Sequence, residues 1–210
     1  MLQIEPYILL PEYGTNTWLL YDDEAKEGIL VDPSAPSTLL LKRIEALYLK
    51  IVMIVNTHGH GDHIGGNGWF RERLNCQLAI HPLDANMLTD NRKNFSDYMG
   101  FPLNEKAADL MLADAQTIGL GKHTVRVIHT PGHTAGCVCL LCEKYLISGD
   151  TLFEMSIGRT DFPGGSHKAI IDSIRHKLFV LEDDVIVFPG HGPKTSIGME
   201  KKNNPFLRDR

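Results

Sequence analysis

The stretch Ile51-Val52-Met53-Ile54-Val55-Asn56-Thr57-His58-Gly59-His60-Gly61-Asp62-His63 decides how this chain is read. It opens as an unbroken apolar run, the pattern of a buried strand. It ends in a short turn carrying three imidazoles and one carboxylate. Histidine and aspartate are the usual nitrogen and oxygen donors for zinc and similar ions. In extended backbone, side chains at i, i+2 and i+4 point the same way. That period predicts His58, His60 and Asp62 facing one centre, with His63 turned toward a second. Glycines at 59 and 61 permit tight backbone and leave room around the ligands.

Around this turn the chain is ordinary in composition. With 210 residues, 43% hydrophobic and 22% charged, it fits one soluble domain over 1–210 with a full core. A net charge of −5 gives no electrostatic reason to expect nucleic acid or an anionic membrane surface. No stretch approaches the roughly 18 apolar residues that span a bilayer. The start, Met1-Leu2-Gln3-Ile4-Glu5-Pro6, lacks the basic and apolar regions of a secretory signal, so the cytoplasm is the expected compartment. Of the four cysteines, Cys137, Cys139 and Cys142 fall in one strand-like run, with Cys142 on the opposite face from the other two. That geometry grips an ion poorly, and all four read as small structural hydrophobes.

Short apolar runs alternate with helical periods. Strands are expected at 3–10, 16–21, 29–31, 51–56, 77–80, 124–129, 137–142, 145–148 and 185–188. Helical stripes occupy 38–49 and 168–181, with Ser37 and Ser166 as N-caps, and Trp69, Phe70 and Leu74 suggest a third helix. Strands in a cluster followed by strand–helix alternation, twice over, suit helices packed outside two sheets. The polar, aromatic-dotted stretch 89–110 reads equally as a lid over a site or as a surface excursion.

Three later segments repeat the grammar of an apolar run, a turn and one strong donor. They are Val127-Ile128-His129-Thr130-Pro131-Gly132-His133, Tyr145-Leu146-Ile147-Ser148-Gly149-Asp150 and Val185-Ile186-Val187-Phe188-Pro189-Gly190-His191. Each donor follows a strand end, where sheet proteins assemble their sites. Seven donors exceed what one tetrahedral ion takes. Two divalent ions fit the count: His58, His60 and His133 on one, Asp62, His63 and His191 on the other, with Asp150 bridging. Zinc is the expected metal, with iron and manganese compatible with the same donors. Such a pair lowers the pKa of water held between its ions and polarises a carbonyl, so Asp62 and Asp150 are expected to be catalytic as well as ligating. Of the remaining histidines, His129, His176, His123 and His167 read as structural, and His81 as a candidate to support a ligand.

The spacing His-x-His-x-Asp-His, followed by distant His133, Asp150 and His191, resembles the metallo-β-lactamase superfamily. The resemblance runs from about residue 16 to the C-terminus. It implies an α+β fold, a four-layer αββα sandwich with the metals at one sheet edge. Thr130-Pro131-Gly132-His133-Thr134-Ala135-Gly136 and Ser148-Gly149-Asp150-Thr151-Leu152-Phe153 are similar to the glyoxalase II branch. Ser156-Ile157-Gly158-Arg159-Thr160-Asp161-Phe162-Pro163-Gly164-Gly165 and the ending through Asn204-Pro205-Phe206 resemble its short, single-domain bacterial members. His60 replaces the glutamate of the flavodiiron branch, Asp150 replaces the cysteine ligand of the commonest β-lactamases, and the low basic charge disfavours tRNA processing. The chain closes at Arg210, where full-length glyoxalase II continues into a helical domain that grips glutathione.

The resemblance implies a small-molecule acyl thioester substrate of the S-lactoylglutathione kind. Arg159 lies where the glyoxalase pattern has a substrate-contacting lysine, and it is expected either to clamp a substrate carboxylate bidentately or to pair with Asp161. Gly136-Cys137 and Gly158-Arg159-Thr160-Asp161-Phe162 are similar also to persulfide dioxygenases. That alternative implies one iron held by His58, His133 and Asp150. A non-catalytic metal module is the third reading, disfavoured by the complete donor set.

Overall fold

In the computed structural model, which describes residues 1–208, the nine expected strands and three further short ones form two six-stranded sheets. The first sheet orders β1 (Leu2–Leu10), β2 (Thr15–Asp22), β3 (Glu27–Val31), β4 (Lys50–Val55), β5 (Gln77–Ile80) and β6 (Leu110–Met111). β1 to β3 run antiparallel, whereas β3 to β6 are parallel. The second sheet contains β7 (Thr117–Leu120), β8 (His123–His129), β9 (Val138–Cys142), β10 (Tyr145–Gly149), β13 (Ile186–Pro189) and β14 (Thr195–Ser196). A two-stranded hairpin, β11 (Leu152–Phe153) with β12 (Ser156–Ile157), lies outside both.

Burial explains why the sheets stack. Every residue of β2 is buried, so both of its faces are covered. Trp18, Leu20, Val31 and Val55 meet Val127, Leu140, Ile147 and Phe188 between the sheets. The alternate residues Leu19, Leu30, Ile54 and Leu78 pack outward against Leu40 and Ile44 of α1 (Thr38–Ala46) and Phe70 of α3 (Asn67–Leu74). On the far side, Ile128, Cys139, Leu146 and Val187 meet Ile170 of α4 (His167–Ser173) and Ile197 of α5 (Ile197–Asn203). Period-2 alternation on doubly covered strands therefore builds the four-layer αββα sandwich. Cys142 lies between the sheets and Cys139 beneath α4, and all four thiols are free.

Ser37 and Ser166 cap their helices, accepting from Leu40 N and Ala169 N. The 168–181 stripe is not one α-helix: it passes at Ile174–Leu178 into a π-helical turn. The 38–49 stripe stops at Ala46, because Tyr48 turns into the left-handed region with φ 57°. The one-turn α2 (Gly61–Ile64) interrupts the metal-ligand motif itself. Among the described residues, no helix is long and apolar enough to cross a membrane.

Candidate metal centre

The parallel strands β4, β10 and β13 end at the same edge of the sandwich, and each hands its next residues to one place. β4 delivers His58 to His63, β10 delivers Asp150, and β13 delivers Gly190-His191, while the β8–β9 turn adds His133. The β4 turn is not extended throughout. His60 is extended, and α2 begins at Gly61. The helical step of about 100° per residue takes Asp62 away from His58 and His60. Of the two placements the sequence offered for Asp62, the face shared with His58 and His60 is corrected, and the grouping with His63 and His191 is the one formed.

Two donor groups result, His58, His60 and His133 and then Asp62, His63 and His191, and a third grouping, His58, His63 and Asp150, joins them. His60 Nδ1 lies 3.1 Å from His58 Nε2 and 2.9 Å from His133 Nε2. In the second group, His191 Nε2 lies 3.3 Å from both His63 Nε2 and Asp62 Oδ2. Asp150 stands between them, Oδ2 being 3.6 Å from His133 Nε2 and 3.5 Å from His191 Nε2, with Oδ1 3.5 Å from His63 Nε2. A tetrahedral ion with bonds of 2.0–2.1 Å places its ligand atoms roughly 3.3 Å apart. The donors are thus spaced as metal ligands are.

The electrostatics fit the same occupant. Burial, and then the neighbouring imidazoles, hold His58 and His60 well below the ordinary histidine range, leaving them neutral and able to ligate. Burial works the same way on His63, but Asp62, Asp150 and Asp32 outweigh it and raise that ring to about 10. His191 is raised as well, against burial, by Asp62 and Asp150. Burial pushes Asp62 up, yet His63, His191 and Thr15 draw it below the usual carboxylate range. Negative charge concentrated at the second group is what a divalent cation would balance. Asp150 Oδ1 is buried without a hydrogen-bond partner, as expected of an oxygen reserved for a metal.

The outer ring nitrogens fix these orientations. His63 Nδ1 meets Asp32 Oδ2 at 3.0 Å, His133 Nδ1 meets the Arg159 carbonyl at 2.8 Å, and His191 Nδ1 meets the Tyr13 carbonyl at 3.1 Å. His58 Nδ1 meets Thr57 Oγ1 at 3.2 Å. Donation at Nδ1 selects the tautomer whose Nε2 lone pair faces inward. His60 is reversed, with Nδ1 inward and its buried Nε2 unpartnered. The glycines of the motif make room for neighbours rather than for ligands. A Cβ at 59 would meet Met87 Cβ at 2.6 Å, and one at 61 would meet Met99 Sδ at 2.9 Å.

All seven sequence-predicted ligands converge. Arg159 is present at the rim, but its Nε and Nη2 form a bidentate pair with Asp161, 2.7 Å each, and its guanidinium lies 3.9 Å over the Phe162 ring. Of the two expectations for Arg159, the structure shows the pair with Asp161, which occupies the fork that a bidentate carboxylate clamp would use. His81 supports no ligand: it stacks on His129 at 4.0 Å. Stretch 89–110 is pinned beside the site, with Asn94 Nδ2 bonded to the Met87 and Leu103 carbonyls and Asn94 O accepting from Gly61 N. Its Phe95 ring lies 5.2 Å from His60 and stacks on Phe162 at 4.6 Å. Asp32, Asp84, Thr15 and Thr57 escaped the sequence reading. Only Asp32 carried a signal, since Ile29-Leu30-Val31-Asp32 repeats the grammar of an apolar run ending in an acid.

Comparison with known proteins agrees with this geometry. The hydroxyacylglutathione hydrolase GloC of Haemophilus influenzae is 34% identical over 94% of this chain and 95% of its own. The human mitochondrial persulfide dioxygenase ETHE1 is also 34% identical, over 94% of this chain and 73% of its own. Among solved structures, the BLEG-1 B3 metallo-beta-lactamase superposes with a TM-score of 0.92 at 36% identity, covering 99% of this chain and all (100%) of that one. TTHA1623 in a di-iron-bound form gives 0.84 at 31% identity, covering 97% and 100%. Residues 10–191 match the metallo-beta-lactamase superfamily, and the chain belongs to it.

Proposed function

We propose that this chain is a metal-dependent hydrolase of acyl thioesters of the S-lactoylglutathione kind. One observation carries the reading: two three-donor groups lie side by side, and Asp150 Oδ2 stands 3.6 Å from His133 of one and 3.5 Å from His191 of the other. When bound, a divalent pair supplies Lewis acidity and brings the pKa of water toward neutrality. The chain's residues do the rest. Asp150 Oδ2 stands between His133 and His191 while Oδ1 faces His63, and Asp62, held by Thr15 Oγ1 at 2.9 Å, keeps a carboxylate beside His191. Phe95 and Phe162 wall the site at His60, and the Phe153 ring lies 6.2 Å from His191. A thiolate leaves without a dedicated acid, because an ordinary thiol pKa near 8.5 makes it a competent leaving group. At the rim, Arg159 Nη1 makes no hydrogen bond among the described residues and offers a single-point contact to a substrate carboxylate. The cofactor reading is two divalent ions, zinc first, although the di-iron form of TTHA1623 makes iron equally worth loading.

The relatedness to human ETHE1 supports the second reading, an iron dioxygenase using His58, His133 and Asp150. One experiment separates the two. Purified protein is analysed for metal, then assayed for S-lactoylglutathione hydrolysis, for oxygen uptake with a persulfide, and for β-lactam hydrolysis. Two ions per chain with thioester turnover lost in Asp62→Ala and His191→Ala supports the proposal. One iron, with oxygen uptake that survives both substitutions, replaces it with the dioxygenase. β-Lactam turnover without thioester turnover would also overturn it.

A further inference from the structure

Asp84 belongs to neither donor group, yet it is only 1% exposed. Its carboxylate accepts from Gly59 N at 3.2 Å, from Thr134 Oγ1 at 2.6 Å and from Gly136 N at 2.8 Å. These donors sit on two turns distant in sequence, His58-Gly59-His60 and His133-Thr134-Ala135-Gly136. Between them, those turns supply all three histidines of the first group. The fit is close on each side. A Cβ at 136 would lie 2.5 Å from Asp84 Oδ1, and one at 59 would lie 3.2 Å from the Asp84 carbonyl. Burial pushes the Asp84 carboxyl above its ordinary range despite the three donors, so the fold keeps an acid where an apolar side chain would be cheaper. The second group is oriented by other residues: His63 by Asp32, Asp62 by Thr15, and His191 by the Tyr13 carbonyl. None of these bonds involves Asp84.

We propose that Asp84 is a positioning residue that sets the spacing of two ligand-bearing turns, governing metal occupancy of the first group and not of the second. The inference rests on reading the two donor groups as metal sites. Outer residues that orient ligands typically change metal affinity by about 10- to 100-fold when removed, and an effect of that size is expected here at one site alone.

The test is cobalt(II) titration of the metal-stripped full chain, followed by ligand-field absorption and calorimetry. Two backgrounds separate the groups: His191→Ala leaves the first intact, and His133→Ala leaves the second. Asp84→Asn should weaken the remaining ion by about 10- to 100-fold in the His191→Ala background and by less than about twofold in the His133→Ala background. Thr134→Val keeps the negative charge and deletes the shortest bond, so it should also weaken the first group. It decides the matter alone where Asp84→Asn fails to fold. Equal weakening in both backgrounds would show general loosening and overturn the proposal. So would unchanged affinity in the His191→Ala background, or a Thr134→Val variant that binds as tightly as its parent. A wild-type chain that takes up no cobalt would sink the two-site reading itself, and this inference with it.

Discussion

His63 and Asp32 form an ion pair at 3.0 Å in which the side chains are 0% and 1% exposed. The same Asp32 carboxylate accepts from Thr57 N at 2.8 Å and Thr57 Oγ1 at 2.6 Å, so it ties the end of β4 to the ligand in α2. Removing one member of a buried pair leaves its partner uncompensated, at a cost of about 3–5 kcal/mol. Asp32→Ala should therefore lower the urea midpoint of the metal-free protein by an amount equivalent to about 3 kcal/mol or more. A midpoint within experimental error of wild type would remove Asp32 from the account of how His63 is held.

Gly190 stands where no side chain fits. A Cβ there would lie 2.1 Å from Asp150 Oδ1 and 2.9 Å from His63 Cε1. Gly190→Ala must displace the shared carboxylate, and the expected result is metal affinity weakened about 10- to 100-fold, as for disturbed ligand orientation. Calorimetric titration of the variant checks this, with full two-ion binding as the contrary result.

Metal removal should destabilise the fold. Imidazole nitrogens held 2.9–3.3 Å apart and the carboxylates of Asp62 and Asp150 would lose their common counter-ion on chelation. At a free metal concentration 100 times the dissociation constant, binding adds about 2.7 kcal/mol of stability. For a chain of this size that corresponds to a Tm shift of roughly 5–10 °C. Thermal melts with and without EDTA measure it, and coincident melts would argue against a resident ion.

The stacked pair His81–His129 gives a pH dependence away from the metal ligands. Burial first, and then the His129 ring, hold His81 down to about 4, with Asp114 pulling the other way. An unfolded histidine titrates near 6.5, so between about 4 and 6.5 the unfolded chain binds more protons than the folded one. Stability contributed by this ring is complete above that window and is lost as the pH falls through it. His81→Asn should flatten the corresponding slope of Tm against pH, and an unchanged slope would show that the ring titrates normally.

Much of this was legible in the chain because strand burial and turn chemistry are local. The apolar runs ending in His58, Asp150 and His191 marked strands, and the donors after them marked the edge where those strands stop. Short or glycine-broken elements were not legible. β7 holds only Thr117–Leu120 with Gly119 inside it, and α5 presents the polar run Gly198-Met199-Glu200-Lys201-Lys202. The one-turn α2 was missed for the opposite reason: its glycine start looked like loop, and helical φ/ψ there follows from packing against Asn94 and Met99.

The sequence by itself determined most of the strand frame and the seven candidate donors, because side-chain chemistry and the apolar period are properties of neighbouring residues. Only the tertiary structure decided that Asp62 leaves the face of His58 and His60 for that of His191, and that Asp32 and Asp84 hold the ligand turns. Those are contacts between segments remote in the chain. A hydrogen bond across 52 positions, from Gly136 to Asp84, leaves no periodicity for a local reading to detect.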